Sequence, residues 1–103
     1  MKRKNENNFK KYIAGHMKGR WDVQSIEDRF STGIPDLNFC RNCVEGWIEL
    51  KTIDSWPVKE TTTLHTPLKH LTNDQINWML RRTKHGGNTY LLMKVMDTKE
   101  ILL

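Results

Sequence analysis

Three ionisable residues, Asp36 in GIPDLNF and Glu49 and Lys51 in GWIELK, stand close together in this sequence. Two carboxylates can hold a hard divalent cation such as Mg²⁺, which prefers oxygen ligands and often binds beside a phosphate group. Such an ion can generate hydroxide from a bound water and neutralise charge on the phosphate. An ammonium group two residues from the second acid can reach the same phosphate or the attacking water. These residue types at this spacing therefore indicate cleavage of a phosphodiester bond.

The stretch between the two acids, CRNCVEG, is typical of a turn, so two neighbouring strands are expected to carry the three charges. A turn centred between Asn42 and Cys43 would place Asp36 opposite Glu49. Because side chains alternate along a strand, Lys51 would then share their face. A turn of odd length, or a bulge, would shift this pairing by one residue.

The opposite face of the hairpin is expected to be apolar and to pack the core, with Leu37, Phe39, Ile48 and Leu50. Like charges directly opposed in a sheet are destabilising, so stability alone gives no reason to place two acids beside an apolar core. The structural alternative is that Asp36 only begins a strand, while Glu49 and Lys51 form an ion pair on the surface. Spacing alone leaves both interpretations open.

Two helices are predicted outside the hairpin. Apolar residues at helical spacing predict the first at about 6–18, with Asn5 as its cap. Thr72 and Gln75 have the spacing of a capping box, which predicts the start of the second. The apolar face of this second helix is expected to contain Ile76, Met79 and Leu80.

Strand patterns complete the prediction of the fold. The expected strands lie at 21–27, 36–41, 44–53 and 88–96, with a short edge strand at 100–103. The order is αβββαβ, which is typical of an α/β fold in which helices flank a small mixed sheet. A length of 103 residues favours one domain spanning 1–103.

The composition bears on partners and location. The net charge of +5 favours an anionic partner, of which nucleic acid is the commonest. No apolar run approaches the ~18 residues of a membrane-spanning helix, and the basic N-terminus lacks the apolar run of a signal peptide. A cytoplasmic location with no membrane partner is therefore expected. A domain this small has a thin core, which makes a homodimer the expected state.

Four motifs of the chain resemble those of a known family. GIPDLNF, GWIELK, LTNDQ and GGNTYLLMKV together resemble the VRR-NUC domain, a branch of the PD-(D/E)XK nuclease superfamily with stand-alone members in bacteriophages. The resemblance covers roughly residues 20–96, and the proline–aspartate context makes it more specific than the loose PD…ExK pattern alone. It implies a restriction-endonuclease-like αβββαβ core and a metal-dependent DNA endonuclease.

The resemblance assigns roles position by position. It implies that Asp36 and Glu49 are metal ligands, that the backbone carbonyl of Leu50 completes the set, and that Lys51 is the catalytic lysine. Gln75 is similar to a helix glutamine that lies beside the active site in this family. The capping box offers a second role for Gln75, and the two roles are compatible.

The superfamily often adds an acidic residue from upstream, and two candidates exist. Glu27 lies just before the break that precedes GIPD, and its nearness in sequence makes it the preferred choice. Glu6 lies on the first helix, where related junction-resolving enzymes carry such an acid. The structural alternative for either is a solvated surface acid.

Other chemistry-bearing residues give weaker patterns. Cys40 and Cys43 form a single CxxC, and zinc would need His65 and His70 to complete four ligands. Trp56, in the long 54–71 loop, is a candidate for stacking on a base or for a dimer contact. None of the histidines has the nucleophile partner of a Ser-His-Asp or Cys-His enzyme, and no small-molecule substrate is indicated.

The leading hypothesis is a Mg²⁺- or Mn²⁺-dependent endodeoxyribonuclease that reads backbone and shape rather than base edges. The resemblance adds a preference for branched DNA such as a Holliday junction. The alternative is a non-catalytic nucleic-acid-binding module on the same basic surface. The sequence does not distinguish a branched from a duplex target, DNA from RNA, one metal from the other, or the cleavage position.

Overall fold

The computed structural model describes residues 2–27, 33–55 and 71–103. Within these ranges, two helices and five strands follow one another along the chain. The helices are α1 (Lys2–Met17) and α2 (Asn73–Lys84), and the strands are β1 (Asp22–Ser25), β2 (Leu37–Arg41), β3 (Val44–Ile53), β4 (Asn88–Val95) and β5 (Ile101–Leu102). The predicted αβββαβ order is confirmed, with β5 as the short edge strand.

The strands form one mixed sheet in the order β1-β2-β3-β4-β5. The pairs β1–β2, β2–β3 and β4–β5 are antiparallel, whereas β3 and β4 are parallel. Parallel neighbours need a crossover connection, and α2 lies in the chain between these two strands. The fold is therefore α/β with a small mixed sheet flanked by helices. Neither helix in the described ranges combines the length and apolar character that crossing a lipid bilayer requires.

The β2–β3 hairpin has the predicted register. Arg41 pairs with Val44, and the pairing continues as expected down the two strands to Leu37 and Ile48. The two residues of the turn, Asn42 and Cys43, have positive φ angles of 51° and 67°. Two-residue hairpin turns of type I′ need positive φ at both central positions, because their twist then matches that of the strands. This turn fixes which hairpin residues share a face.

One face of the sheet is covered by α1. Phe9 is 1% exposed and packs against the predicted apolar face of the hairpin. Ile13 and Met17 extend this contact along the helix. The core cluster is formed by Phe9, Leu37, Phe39, Ile48 and Leu50.

The first helix differs from the prediction at its start. It begins at Lys2 rather than near residue 6 and ends at Met17, so the expected cap at Asn5 is wrong. The apolar periodicity starts only at Phe9, but lysine and arginine have good helix propensity and extend the helix toward the N-terminus. Gly19 follows with a φ of 85°, a conformation that favours glycine and ends the helix.

The second helix packs with a different face from the one predicted. Trp78 is its buried residue, whereas Ile76 is 37% and Leu80 63% exposed. The reason is a partner on the sheet, because Trp47 of β3 meets Trp78 edge to face with ring centroids 5.0 Å apart. The Arg82 guanidinium covers both rings, at 5.5 Å and 4.7 Å from their centroids. Thus α2 covers the face of the sheet opposite α1.

Candidate active site

The two acids of the predicted pair lie where β2 and β3 separate. Pairing between these strands ends at Leu37 and Ile48, whereas β3 continues to Ile53 beside β4. Asp36 is the next residue beyond the last pair, and its Oδ2 accepts a hydrogen bond from the Leu50 N–H at 2.9 Å. This bond holds the Asp36 carboxylate against β3, directly beside Glu49. The structure therefore brings the two predicted acids together.

Glu49 is the most unusual residue of the described chain. Its side chain is only 1% exposed, although it is an acid in a small domain. The pKa of Glu49 is raised from its ordinary value of 4.5 to about 9. Burial is the largest cause, and a hydrogen bond to Asp36 and the negative charge of Asp36 add to it. Among the described residues, its Oε2 is buried without a hydrogen-bond partner. A buried acceptor of this kind is costly unless something else binds it.

Lys51 acts on the same carboxyl from the same strand. Its positive charge lowers the Glu49 pKa, in opposition to burial and Asp36. Lys51 is half-buried, as a lysine beside a buried acid is expected to be. The three predicted charges therefore interact with one another, which a simple surface ion pair between Glu49 and Lys51 would not require.

The donor set fits a hard divalent cation. Such ions take oxygen ligands, commonly one or two carboxylates together with water and substrate phosphate. Asp36 and Glu49 would supply the carboxylates, and the resemblance predicts the Leu50 carbonyl as the third ligand. The Leu50 N–H bond orients the Asp36 carboxylate, which is the usual role of partners behind a metal ligand. Across the described ranges, no three His, Cys, Asp or Glu side chains form a larger metal cluster.

Gln75 lies at the start of α2 and forms the predicted capping box. Its N–H donates to the Thr72 hydroxyl at 3.1 Å, and its side-chain oxygen accepts from the Thr72 N–H at 2.9 Å. The other proposed role for Gln75, beside the active site, stays a prediction. The first turn of α2 nevertheless lies close to the GIPD segment, because a Cβ on Gly33 would overlap the Asp74 carbonyl and lie 3.1 Å from the Gln75 nitrogen.

This contact makes Gly33 a sensitive position. Its φ of 86° favours glycine, and no space exists for a methyl group against α2. We expect Gly33→Ala to lower the free energy of unfolding by about 3 kcal/mol, from backbone strain together with overpacking. Urea unfolding followed by circular dichroism measures this loss.

Gly19 supplies the matched control. It has nearly the same φ, 85°, but a Cβ there would meet nothing within 4 Å. Gly19→Ala should therefore show only the conformational cost of about 1 kcal/mol. Equal losses in the two variants would contradict a tight contact between Gly33 and α2.

The two upstream acids occupy different places. Glu6 on α1 contributes to the raised pKa of Glu49, so its charge acts at the site. Glu27 follows β1, is exposed, and lines a groove beside α1. The preference for Glu27 stays a prediction, but the electrostatics favour Glu6 as the acid that acts on Glu49.

The weaker patterns receive no support from the described residues. Cys40 and Cys43 are free, exposed thiols at the hairpin turn. The other two zinc candidates, His65 and His70, lie outside the described residues, as does Trp56. The turn itself accounts for the position of the CxxC.

Comparison of the chain with protein-family models, curated proteins and solved structures gives no match. The residues of the site and the resemblance of their motifs are therefore the basis for a proposed function.

Proposed function

We propose that the protein is a Mg²⁺- or Mn²⁺-dependent endonuclease that hydrolyses phosphodiester bonds in DNA. The observation that carries this proposal is the buried Glu49 carboxyl, which has an unpartnered oxygen and lies against a second carboxylate. The VRR-NUC resemblance of the surrounding motifs points to the same chemistry.

The energetics of the pair support a cationic ligand. Without one, Glu49 must stay protonated or place a second negative charge beside Asp36 in a buried position, and both are unfavourable near neutral pH. A divalent cation would favour the ionised form of both carboxylates and would use the free Oε2. Stability alone would be better served by an apolar side chain of similar size at position 49.

Each residue then has a chemical role. Asp36 and Glu49 would hold the ion, with the Leu50 carbonyl as a further ligand. The bound metal supplies a water of lowered pKa and positive charge for the phosphate oxygens. Lys51 would contact a non-bridging phosphate oxygen or orient the attacking water. In the reaction, the water loses a proton as its oxygen bonds to phosphorus, the P–O bond to the departing nucleotide breaks, and the departing oxygen gains a proton.

The proposal extends to the form of the substrate. Nothing among the described residues forms a separate module for reading bases, so contacts should be to backbone and shape. Preference for branched DNA follows from the family resemblance. A homodimer would bring two sites to one branched substrate, and sedimentation velocity measures that state.

A panel of substrates tests the proposal directly. Purified protein is incubated with labelled Holliday junctions, flaps, nicked and linear duplexes and RNA, with Mg²⁺, Mn²⁺ or EDTA. We expect metal-dependent nicking of at least one DNA substrate, strongest on branched forms, and none in EDTA. An Asp36→Asn preparation made in parallel excludes a contaminating nuclease.

The basic surface favours one rival, a module that binds nucleic acid without cutting it. This rival predicts affinity that falls steeply with salt, and no cleavage in either metal. Binding without cleavage across the whole panel would therefore reject the nuclease and retain the rival.

A further inference from the structure

A groove of about 960 Å³ lies between α1 and the edge strand β1. One wall is a stripe of α1, and the other is formed by the end of β1 and the residues that follow it. Among the described residues, three lysines and one acid line it: Lys10, Lys11, Lys18 and Glu27. These side chains give the groove an excess of positive charge. Its concave shape suits an extended anionic chain better than a partner with a flat surface.

The three lysines of the groove differ in their hydrogen-bond partners. The Lys10 ammonium donates to the Ile26 carbonyl at 2.8 Å, which ties it to the groove wall. Lys11 and Lys18 are exposed, and within the described part of the chain neither has an acidic partner. A lysine presents three donors and no acceptor. Two unpaired ammonium groups on one wall of a groove are therefore available to an anionic ligand.

The groove adjoins the candidate active site through two short links. The Ile26 N–H donates to the Asp36 carbonyl at 2.9 Å, so a residue lining the groove is bonded to a proposed metal ligand. On the helix, Asn7 lines the groove, and its neighbour Glu6 acts on the pKa of Glu49. One end of the groove therefore lies beside the Asp36 backbone.

We propose that this groove binds the sugar–phosphate backbone of the nucleic-acid strand that continues from the active site. The claim rests on the proposed function for the identity of the ligand. Lys11 lies on α1, and Lys18 directly follows its last residue, with its N–H still bonded to the Ala14 carbonyl at 3.1 Å. A helix rises 1.5 Å per residue, so these seven positions separate the two lysines by about 10 Å. Phosphates of one strand repeat every ~3.4 Å along a duplex axis. The two lysines contact phosphates about three nucleotides apart.

Gly15 gives a sharp test, because it lies in the groove between these lysines. A Cβ at this position would meet nothing within 4 Å, so a substituted side chain begins in open space. Removing a glycine from a helix interior also stabilises the helix. Gly15→Glu places a negative charge in the groove, and Gly15→Gln places a neutral side chain of the same size there.

The experiment measures binding separately from cleavage. Fluorescence anisotropy is recorded in EDTA with labelled duplex DNA, single-stranded DNA and RNA, between about 50 and 200 mM salt. Lys11→Gln with Lys18→Gln should weaken binding about 10-fold or more, and should reduce the slope of log K against log salt by about 2. Gly15→Glu should weaken binding, whereas Gly15→Gln should not.

The matched control removes the same charge elsewhere. Lys84, at the far end of α2 from Gln75, and Lys99, after β4, are both exposed. Lys84→Gln with Lys99→Gln should leave the salt slope close to wild type. If the groove variants bind with the affinity and slope of this control, the groove proposal is overturned.

The outcomes separate the two proposals. Wild-type binding that depends on the groove lysines, without cleavage in any metal, supports the groove and rejects the nuclease. Cleavage by wild type with no effect of the groove variants on affinity supports the nuclease and rejects the groove. The DNA and RNA probes show which backbone is preferred.

Discussion

Replacing Lys51 with alanine is expected to lower the rate of metal-dependent nicking by about 10²–10³-fold. The loss follows from the position of the ammonium, which acts on the buried Glu49 carboxyl and lies beside the proposed ligands. Phosphoryl transfer depends mainly on positioning and positive charge, so little can replace this group. Single-turnover nicking of a labelled branched substrate in Mg²⁺ or Mn²⁺ measures the change.

Two further variants make this result specific. Lys94→Ala removes a lysine from the neighbouring strand, where its ammonium lies 6.0 Å from the Phe9 ring on the α1 face. It should cleave at close to the wild-type rate. Lys51→Arg, which keeps the charge but changes its shape, should fall between wild type and alanine. Wild-type activity in Lys51→Ala would overturn the proposed mechanism.

Glu49→Gln is expected to raise the free energy of unfolding of the metal-free protein by about 2 kcal/mol or more near pH 8. The folded-state pKa of Glu49, about 9, lies above its ordinary value of 4.5. Between those values, the unfolded chain releases a proton that the folded protein keeps. The wild type therefore loses stability as pH rises through this window, by at most about 1.4 kcal/mol per pH unit. Glutamine does not titrate and has no such loss.

Urea unfolding at about pH 5, 6.5 and 8 tests the direction of this effect. The two proteins should have similar stability at the lowest pH and diverge as the pH rises. Glu45→Gln is the control, because Glu45 lies on the same hairpin but is exposed. Its pH dependence should follow that of the wild type. A constant difference between wild type and Glu49→Gln at all three pH values would show that the Glu49 pKa is not raised.

The same variant should lose its response to metal. A divalent cation needs the ionised carboxylate, so Mg²⁺ or Mn²⁺ should stabilise the wild type more at pH 8 than at pH 5. At about 100 times the dissociation constant, the gain is ~3 kcal/mol. Glu49→Gln and Asp36→Asn should show little of it, and Glu45→Gln should keep it. A wild type that neither metal stabilises at any pH would count against the metal site.

The hairpin and its register could be predicted because two independent signals agreed. Apolar and charged residues alternate along β3, and a two-residue turn between Arg41 and Val44 gives only one pairing that preserves this alternation. The position of Asp36 beside Glu49 follows from that register. The unpartnered Oε2 does not, because it depends on how closely other elements cover Glu49.

The start of α1 and the packed face of α2 could not be predicted from the sequence. The α1 start was missed because lysine and arginine carry no periodic apolar signal, although they continue a helix. The apolar face of α2 was misplaced because Trp78 packs on Trp47, a partner distant in sequence. The groove lysines were also missed. Asn7 and Lys11 lie four residues apart on α1, and Lys18 follows its end, but no sequence signal indicates that β1 lies opposite them.

The three charged side chains belong to one hairpin, and this has a consequence for the kinetics of folding. Hairpins close in roughly 1–10 μs, whereas the parallel pairing of β3 with β4 must wait for the whole connection through α2 to close. Asp36 and Glu49 should therefore meet in water first, while solvent still screens their repulsion. Their burial should come only in the later, slower step, in which the sheet is completed and α2 packs on it through Trp78 and Trp47.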